Sequence, residues 1–393
     1  MKSKIQDIKN LILEHKNSIY VFIGMVFFSF IVCTNFLRIH FAADTYCLYA
    51  YGYDNYILHF LASARFFGAL ELWIAKILDI TLLTNLKILS FIGIIIAASA
   101  WYILYKYILK LMKKEKSISW NILIGTLTFS IIFNFSSCEM FMFAESGIMM
   151  FAILLSVIGA CVFNSDVKHR YIISFILVLL SSFAYQSTIS LFVLLALIME
   201  TYRNKGDIKK IVKEALIIGI FYGSAFVINL ISIKIIQIFV DNKMRKASIP
   251  SINDIIYTTY NFGTTIMFAF KLLPKYLYIA IIGLITLWYI LIIFKTREKF
   301  SIIEYIMLGI LAFFMPLLPV MATPREQQYI EPRMVLSYAA IIPILILYII
   351  VKFEEKKINW FKQILAVASI RNGIFKCDVF YKNIYREYCN RIS

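Results

Sequence analysis

Two carboxylates, Asp44 and Asp54, lie among six aromatic residues in the stretch FAADTYCLYAYGYDNY, residues 41–56. Carboxylates can accept protons, and aromatic rings can pack on flat apolar surfaces. One interpretation is an aromatic belt at a membrane surface, with the two acids facing water. The other is a functional loop, because charged groups at a membrane boundary usually face a cavity or a partner. The residues alone leave both interpretations open.

Two arginines, Arg325 and Arg333, occur in the late stretch MATPREQQYIEPRMVLSY, residues 321–338. The guanidinium fork stays charged and matches the oxygens of a phosphate group. The two arginines therefore fit a phosphate-binding site at the mouth of a helical bundle. The structural alternative is an ion pair with Glu326 or Glu331 that holds the loop in place.

A few polar residues interrupt two other long apolar stretches of the sequence. Tyr185 and Gln186 lie in the middle of one run, and Glu139 and Glu145 lie beside the turn in the other. Polar groups at such a depth need hydrogen-bond partners. They can cap helix ends, or they can bind a ligand that is rich in hydroxyl groups.

Several kinds of site are not indicated by the sequence. It contains no P-loop and no GxGxxG after a strand, which argues against an ATP- or NAD-binding protein. It has four His residues, too few for a multi-His metal site to be expected. His40 and Asp44 lie four residues apart, but such a pair is more often solvated than metal-binding. We therefore predict no cofactor and assign no metal ligand.

The elements that hold these residues are predicted to be membrane helices. Hydrophobic residues make up 61% of the 393-residue chain. The net charge of +17 comes from Lys and Arg clusters between the apolar runs, as expected of cytoplasmic loops, so we predict no nucleic-acid partner. The pattern predicts an all-α polytopic membrane bundle of about ten transmembrane helices, with both termini cytoplasmic. Residues 1–351 form this domain, and residues 352–393 form a short basic cytoplasmic tail.

The basic clusters also fix where the chain crosses the membrane. The 120–163 run fits two crossings around an outer turn, and the 171–201 run fits two short crossings that turn outside near Tyr185. An acidic first outer segment covers residues 38–83. Gly219 and Gly223, four residues apart, suit close helix packing. The other predicted crossings are 19–37, 84–105, 214–239, 276–294, 301–321 and 334–351.

Together these positions resemble the GT-C class of membrane glycosyltransferases, and more closely the family of the bacterial and phage type II O-antigen glucosyltransferases. The matching pieces are FAADTYCLYAYGYDNY, SARFFGALELWIAKIL, SSFAYQSTISLF and PREQQYIEPRMVLSY. Their order and spacing over residues 30–350 carry the resemblance. The family commonly has an acidic pair early in the first loop, whereas Ala43-Asp44-Thr45 supplies only one acid.

The resemblance implies transfer of a glucosyl or related hexosyl group from a polyprenyl-phosphate donor at the outer face of the plasma membrane. The acceptor would be a cell-surface polysaccharide or a lipid-linked glycan. Asp44 would be the general base, with Asp54 in reserve. The phosphate and sugar would contact the remaining candidates, which are Arg65, Arg325, Arg333, Tyr185, Gln186 and Glu139.

Two other functions compete with the transferase. A polysaccharide polymerase or ligase also uses lipid-linked glycans, but it would carry its largest outer loop late in the chain. A flippase or transporter of lipid-linked sugars would often show internal repeats and charges in the middle of its helices. The sequence has its largest outer segment first and no repeat, which favours the transferase.

Overall fold

The computed structural model describes residues 16–37, 43–112, 118–204, 207–239, 251–269, 275–296, 301–321 and 332–352. Within these ranges the chain is helical and has no β-strand, so the predicted all-α fold is confirmed. The helices are α1 (Lys16–Val32), α2 (Ala43–Ala62), α3 (Phe66–Ile77), α4 (Leu82–Leu111), α5 (Ile118–Ile132), α6 (Phe135–Met140), α7 (Ser146–Phe163), α8 (Arg170–Ala184), α9 (Ile189–Arg203), α10 (Ile208–Phe239), α11 (Ile252–Ala269), α12 (Lys275–Thr296), α13 (Ser301–Phe314), α14 (Leu318–Met321), α15 (Leu336–Ala339) and α16 (Ile341–Lys352). The predicted tail lies outside the described residues after Lys352.

Five segments of the described chain are long and apolar enough to cross a membrane. Three shorter apolar helices, at the start of the chain and in α5 and α8, approach that length. These features fit a membrane protein, while the crossing number of about ten stays a prediction. The five segments are Leu82–Leu111, Ser146–Phe163, Ile208–Phe239, Ile302–Met321 and Arg333–Val351.

Polar contacts between helix ends define one end of the bundle, called here the basic end. Lys106 Nζ near the end of α4 donates to Ser18 Oγ near the start of α1, over 3.0 Å. Arg203 Nη1 at the end of α9 donates to the carbonyl oxygen of Asn164, over 2.9 Å. Arg170 at the start of α8 lies 3.5 Å from Glu214 of α10. These contacts place Lys106, Arg170 and Arg203, which belong to three of the predicted cytoplasmic clusters, at the same end of the bundle.

Helices α8 and α9 form an antiparallel hairpin that is interrupted at Tyr185. Ser174 of α8 donates to Gly159 of α7 over 2.9 Å, and Ser181 donates to Ala152 over 2.9 Å, so α8 runs antiparallel to α7. Helix α9 returns alongside α7, since Asn164 Nδ2 donates to the carbonyl oxygen of Ala196 over 3.1 Å. The hairpin turn therefore lies opposite the basic end.

The centre of the bundle is occupied by α9. Its residues Ile189–Thr201 are buried, and it packs against α7, α8, α10, α13 and α16. A helix that is apolar on all faces is expected to be surrounded by other helices. In contrast, only 22% of the most apolar window of α10 is buried, which leaves one side of that helix facing outward.

Two glycines bring α4 and α7 close together. A Cβ atom added at Gly147 would lie 3.0 Å from the carbonyl oxygen of Leu89, and one added at Gly93 would lie 3.3 Å from Gly147 Cα. A larger residue at either position would push the helices apart. The close helix packing predicted for Gly219 and Gly223 is not seen among the described residues, where an added Cβ atom at either would meet nothing within 4 Å.

The described part of the first outer segment folds into α2 and α3, with a turn between them. Helix α2 kinks at Gly52, where φ is 76° and ψ is 173°. Glycine has no Cβ and adopts this left-handed φ without the steric cost that other residues incur. Leu48, Phe60 and Leu72 pack the two helices together and against Ala144 before α7. The segment is therefore a packed helical cover over one end of the bundle.

Candidate functional site

The turn between α8 and α9 carries its own caps. Ser181 Oγ and Thr188 Oγ1 lie 2.8 Å apart, and Ser156 of α7 donates to the carbonyl oxygen of Thr188 over 3.0 Å. These hydroxyls satisfy backbone groups left without partners where the helices end. Tyr185 adopts an extended backbone, with φ of −158° and ψ of 113°, and so ends α8. Its own side chain and that of Gln186 are not needed for these caps.

Three of the predicted site residues meet at this turn. Arg65 stands just before α3, after a turn in which Ala64 has a φ of 52°. Arg65 Nε donates to Gln186 Oε1 over 3.4 Å, and its guanidinium carbon lies 4.8 Å from the centre of the Tyr185 ring. A guanidinium over an aromatic ring gains a cation–π interaction. The structure thus joins residues that are 121 positions apart into one group.

Asn229 of α10 belongs to the same group, although the sequence analysis missed it. Gln186 Nε2 donates to the carbonyl oxygen of Ser63 over 2.7 Å and to Asn229 Oδ1 over 3.4 Å. Asn229 is only 3% exposed. In the sequence, Asn229 is one amide on the face of α10 that also carries Ile218, Tyr222 and Ala225 and that packs against the bundle. The importance of this amide becomes clear only once the structure shows which residues of the hairpin turn lie next to it.

Arg333 and Glu139 form a second group on the other side of the turn. Glu139 Oε2 accepts from the backbone N–H of Arg333 over 2.5 Å, and its Oε1 lies 3.5 Å from Arg333 Nη1. The Arg333 guanidinium lies 4.0 Å from the centre of the Phe143 ring, and the residue is 7% exposed. Ser187 Oγ donates to the Arg333 carbonyl oxygen over 3.1 Å. Gln186 and its neighbour Ser187 thus contact the two arginines in turn.

Local structure explains how Glu139 reaches this position. Asn134 caps the short helix α6, with its side chain accepting from the backbone N–H groups of Ser136 and Ser137. The Ser137 hydroxyl accepts in return from the Asn134 backbone N–H over 2.9 Å. This capping box fixes the start of α6. It presents Glu139 to Arg333, whereas Glu326 and Glu331, the partners considered from sequence, lie outside the described residues.

Of the two carboxylates predicted to act in the first outer segment, the structure describes the side chain of Asp54 but not that of Asp44. Asp44 lies in the first turn of α2 by its backbone, and its side chain is outside the described set. Asp54 lies beyond the Gly52 kink and pairs with Lys76 of α3 over 2.5 Å, with the two side chains 73% and 48% exposed. Asp54 is therefore on the surface. Arg325 lies outside the described residues.

A second pair of carboxyl groups lies deeper. Glu71 Oε1 of α3 accepts from Asn85 Nδ2 over 2.8 Å, while its Oε2 is buried without a hydrogen-bond partner among the described residues. Burial, together with the negative charge of Glu145, raises the pKa of Glu71 from 4.5 to about 7, against the lowering effect of the Asn85 bond. Glu145, next to the start of α7, is 6% exposed. A carboxyl group with such a pKa can hold or release a proton near neutral pH.

Metal binding finds no support in the part of the chain that the structure describes. No group of three or more His, Cys, Asp or Glu side chains is arranged there to hold a metal ion. His40 lies outside the described residues, so the pairing of His40 with Asp44 is untested. The described site therefore offers cations, amides and carboxyl groups, which can bind an anion and a hydroxyl-rich ligand.

Comparison with known proteins identifies the family. No curated protein and no solved structure matches the chain. Residues 34–344 match the family described as glucosyl transferase GtrII. This match covers most of the 393 residues and includes α2 to α15, so it contains every group of the site described above. The chain therefore belongs to the glucosyl transferase GtrII family, and glycosyl transfer is its expected chemistry.

Proposed function

We propose that the protein transfers a glucosyl or related hexosyl group from a polyprenyl-phosphate donor to a glycan acceptor. The acceptor is a cell-surface polysaccharide or a lipid-linked glycan, and transfer takes place at the outer face of the plasma membrane. The family supports the sugar transfer. The donor, the acceptor and the membrane face are the parts that this proposal adds.

The observation that carries the proposal is the position of Arg65. Its guanidinium is held by Gln186 and Tyr185 at the end of the bundle that lies opposite the basic end. A lipid phosphate has its charge where the apolar part of the membrane ends, so it meets a cation fixed at that level. The phosphate becomes the leaving group, and a preorganised cation stabilises the charge that develops on it.

The transfer step is a displacement at the anomeric carbon of the donor sugar. A hydroxyl oxygen of the acceptor forms the new bond to that carbon, and the bond from the carbon to the phosphate oxygen breaks. Asp44 takes the proton from the attacking hydroxyl as general base. The polyprenyl phosphate leaves with the bonding electron pair, and Arg65 binds it. The Tyr185 ring, 4.8 Å from the guanidinium carbon, helps to hold the guanidinium in place.

Arg333 has a different role in this proposal. Its charge is paired with that of Glu139, and the residue is buried. We assign Arg333 and Glu139 to holding the late segment against the hairpin turn. Arg325, eight residues earlier in that segment, keeps the predicted phosphate-binding role.

The proposal is tested by a transfer assay with radiolabelled glucosyl polyprenyl phosphate and acceptor glycan, in membranes normalised to protein amount. Asp44→Asn keeps the size and removes the basicity, so transfer should fall by about two to four orders of magnitude. Arg65→Lys keeps the charge but loses the fork and the Nε contact, so the donor KM should rise about tenfold. Asp54→Asn, on the exposed surface, serves as the control.

The outcomes separate the proposal from its rivals. Normal transfer by Asp44→Asn with loss in Asp54→Asn would move the base to Asp54. Normal transfer by both would remove this segment from the chemistry. Sugar analysis of the surface glycan, with and without the protein, completes the test. Loss of a single side-branch sugar supports the transferase, whereas loss of chain length supports a polymerase.

A further inference from the structure

Asn229 bridges the two sides of the break between α8 and α9. It lies on the stripe of α10 that faces the bundle, after Ile218, Tyr222 and Ala225. Its Nδ2 donates to the carbonyl oxygen of Ser182, in the last turn of α8, over 3.3 Å. Its Oδ1 accepts from Gln186 Nε2, just beyond the break, over 3.4 Å. One amide of a neighbouring helix thus contacts both sides of the turn.

The direction of these hydrogen bonds is determined along the whole series. The Ser182 carbonyl can only accept, so the NH₂ group of Asn229 faces it and the oxygen of Asn229 faces Gln186. The NH₂ group of Gln186 has two acceptors, Asn229 Oδ1 and the Ser63 carbonyl. Both hydrogens of Gln186 are therefore used. The remaining group of the amide, Oε1, accepts the hydrogen bond from Arg65 Nε, which can only donate.

We propose that Asn229 is a positioning residue for glycosyl transfer, and that it acts through Gln186. It holds the Gln186 amide with its oxygen toward Arg65, and Gln186 in turn holds Arg65 over the ring of Tyr185. Asn229 does not itself contact the donor. This inference rests on the proposed function, in which Arg65 binds the donor phosphate.

The first experiment compares Asn229→Leu with Tyr222→Phe in the transfer assay. Leucine has the same branching and the same number of side-chain heavy atoms as asparagine and suits a membrane helix, but it cannot hydrogen-bond Gln186. Loss of one such hydrogen bond should raise the donor KM about fivefold, with kcat changed by less than about twofold, because the contact acts on donor binding. Tyr222→Phe is the matched control, since it removes a buried bond of 2.6 Å from the same helix to the Met315 carbonyl. It should leave the donor KM unchanged.

A double-substitution cycle then separates positioning from general stability. If Asn229 acts through Gln186, the variant Gln186→Leu/Asn229→Leu should have the same donor KM as Gln186→Leu alone. Independent effects, in which the two rises in KM multiply, would overturn the proposal. An Asn229→Leu variant with the wild-type KM would also overturn it. A third adverse result is a Tyr222→Phe variant that raises the donor KM as much as Asn229→Leu does.

A second readout does not depend on transfer. Phenylglyoxal modifies guanidinium groups, and the extent of labelling at Arg65 can be measured by peptide mass spectrometry. Labelling of Arg65 should be faster in Asn229→Leu than in wild type and unchanged in Tyr222→Phe. Equal labelling in all three would overturn the positioning role. A wild-type protein that does not use the polyprenyl-phosphate donor would overturn the proposed function instead, while the labelling result would still decide the role of Asn229.

Discussion

The proton held by Glu71 should make the stability of the protein depend on pH. The carboxyl group lies between α3 and α4, where Asn85 Nδ2 donates to one oxygen over 2.8 Å and the other oxygen is buried without a partner among the described residues. Burial first, and the negative charge of Glu145 second, raise its pKa to about 7 from an ordinary value of 4.5. In the unfolded chain neither cause operates, so the ordinary value applies there.

The sign of the effect follows from proton counting. Between pH 4.5 and about 7, the folded protein keeps the Glu71 proton while the unfolded chain has released it. The contribution of Glu71 to the free energy of unfolding therefore falls as pH rises through this window, and it stays constant above the window. The difference between the two pKa values corresponds to a loss on the order of 3 kcal/mol across the window. A loss of that size should lower the melting temperature by several degrees.

The substitution Glu71→Gln isolates the pH-dependent contribution of Glu71 to stability. The amide is neutral at every pH, and its oxygen can still accept from Asn85. The melting temperature of the purified protein in detergent would be measured at pH 5 and pH 8. The variant should match wild type at pH 5 and should be more stable by several degrees at pH 8. Asp54→Asn, which changes an exposed carboxylate, should run parallel to wild type at both pH values.

Parallel curves for wild type and Glu71→Gln between pH 5 and pH 8 would refute the reasoning. They would mean that Glu71 titrates alike in the folded and unfolded chains. Glu145→Gln gives an independent check, because it removes the second cause of the raised pKa. In that variant the stability loss should become smaller, and its upper limit should move to a lower pH.

Three further predictions concern the two arginines and the membrane orientation. Gln186→Glu should place an added negative charge beside Arg65 and so raise the donor KM at least about tenfold, measured in the transfer assay. Glu139→Ala should leave Arg333 buried without its partner and destabilise the protein by about 3–5 kcal/mol, measured by melting in detergent; an unchanged melting temperature would contradict this. In a background without native cysteines, a membrane-impermeant thiol reagent applied from outside should label Asp54→Cys and not Lys110→Cys, and the reverse pattern would invert the proposed orientation.

The sequence predicted those parts of the fold that depend on the positions of apolar runs and of the polar or basic residues that interrupt them. The polar residues Tyr185 and Gln186 interrupt an apolar run, so a helix break was predicted at the turn where the structure has one. The basic clusters were predicted to share one side, and Arg170, Arg203 and Lys106 do lie at the same end of the bundle. These features are visible in a linear pattern because each depends on local hydropathy and charge.

The partners of the site residues were beyond such reasoning. The structure pairs Arg333 with Glu139, a residue 194 positions away, whereas the sequence suggested acids in the same loop. The glycines show the same limit. Gly93 and Gly147, far apart in sequence, bring two helices together, whereas a Cβ atom added at Gly219 or Gly223 would meet nothing within 4 Å among the described residues. Contacts of this kind depend on how whole helices pack, and one residue pattern does not encode that.

The two described arginines of the site have different neighbours, and for that reason we propose different roles for them. Glu139 supplies Arg333 with a negative charge 3.5 Å from its guanidinium and also accepts from its backbone N–H, which ties the late segment to α6. Gln186 holds Arg65 through a neutral amide oxygen and contributes no counter-charge. An amide oxygen can therefore orient a guanidinium without adding the negative charge that a carboxylate at the same position would bring. If Arg65 binds the donor phosphate as proposed, a negative charge at position 186 would oppose donor binding even with Arg65 in place, and the Gln186→Glu variant tests this argument.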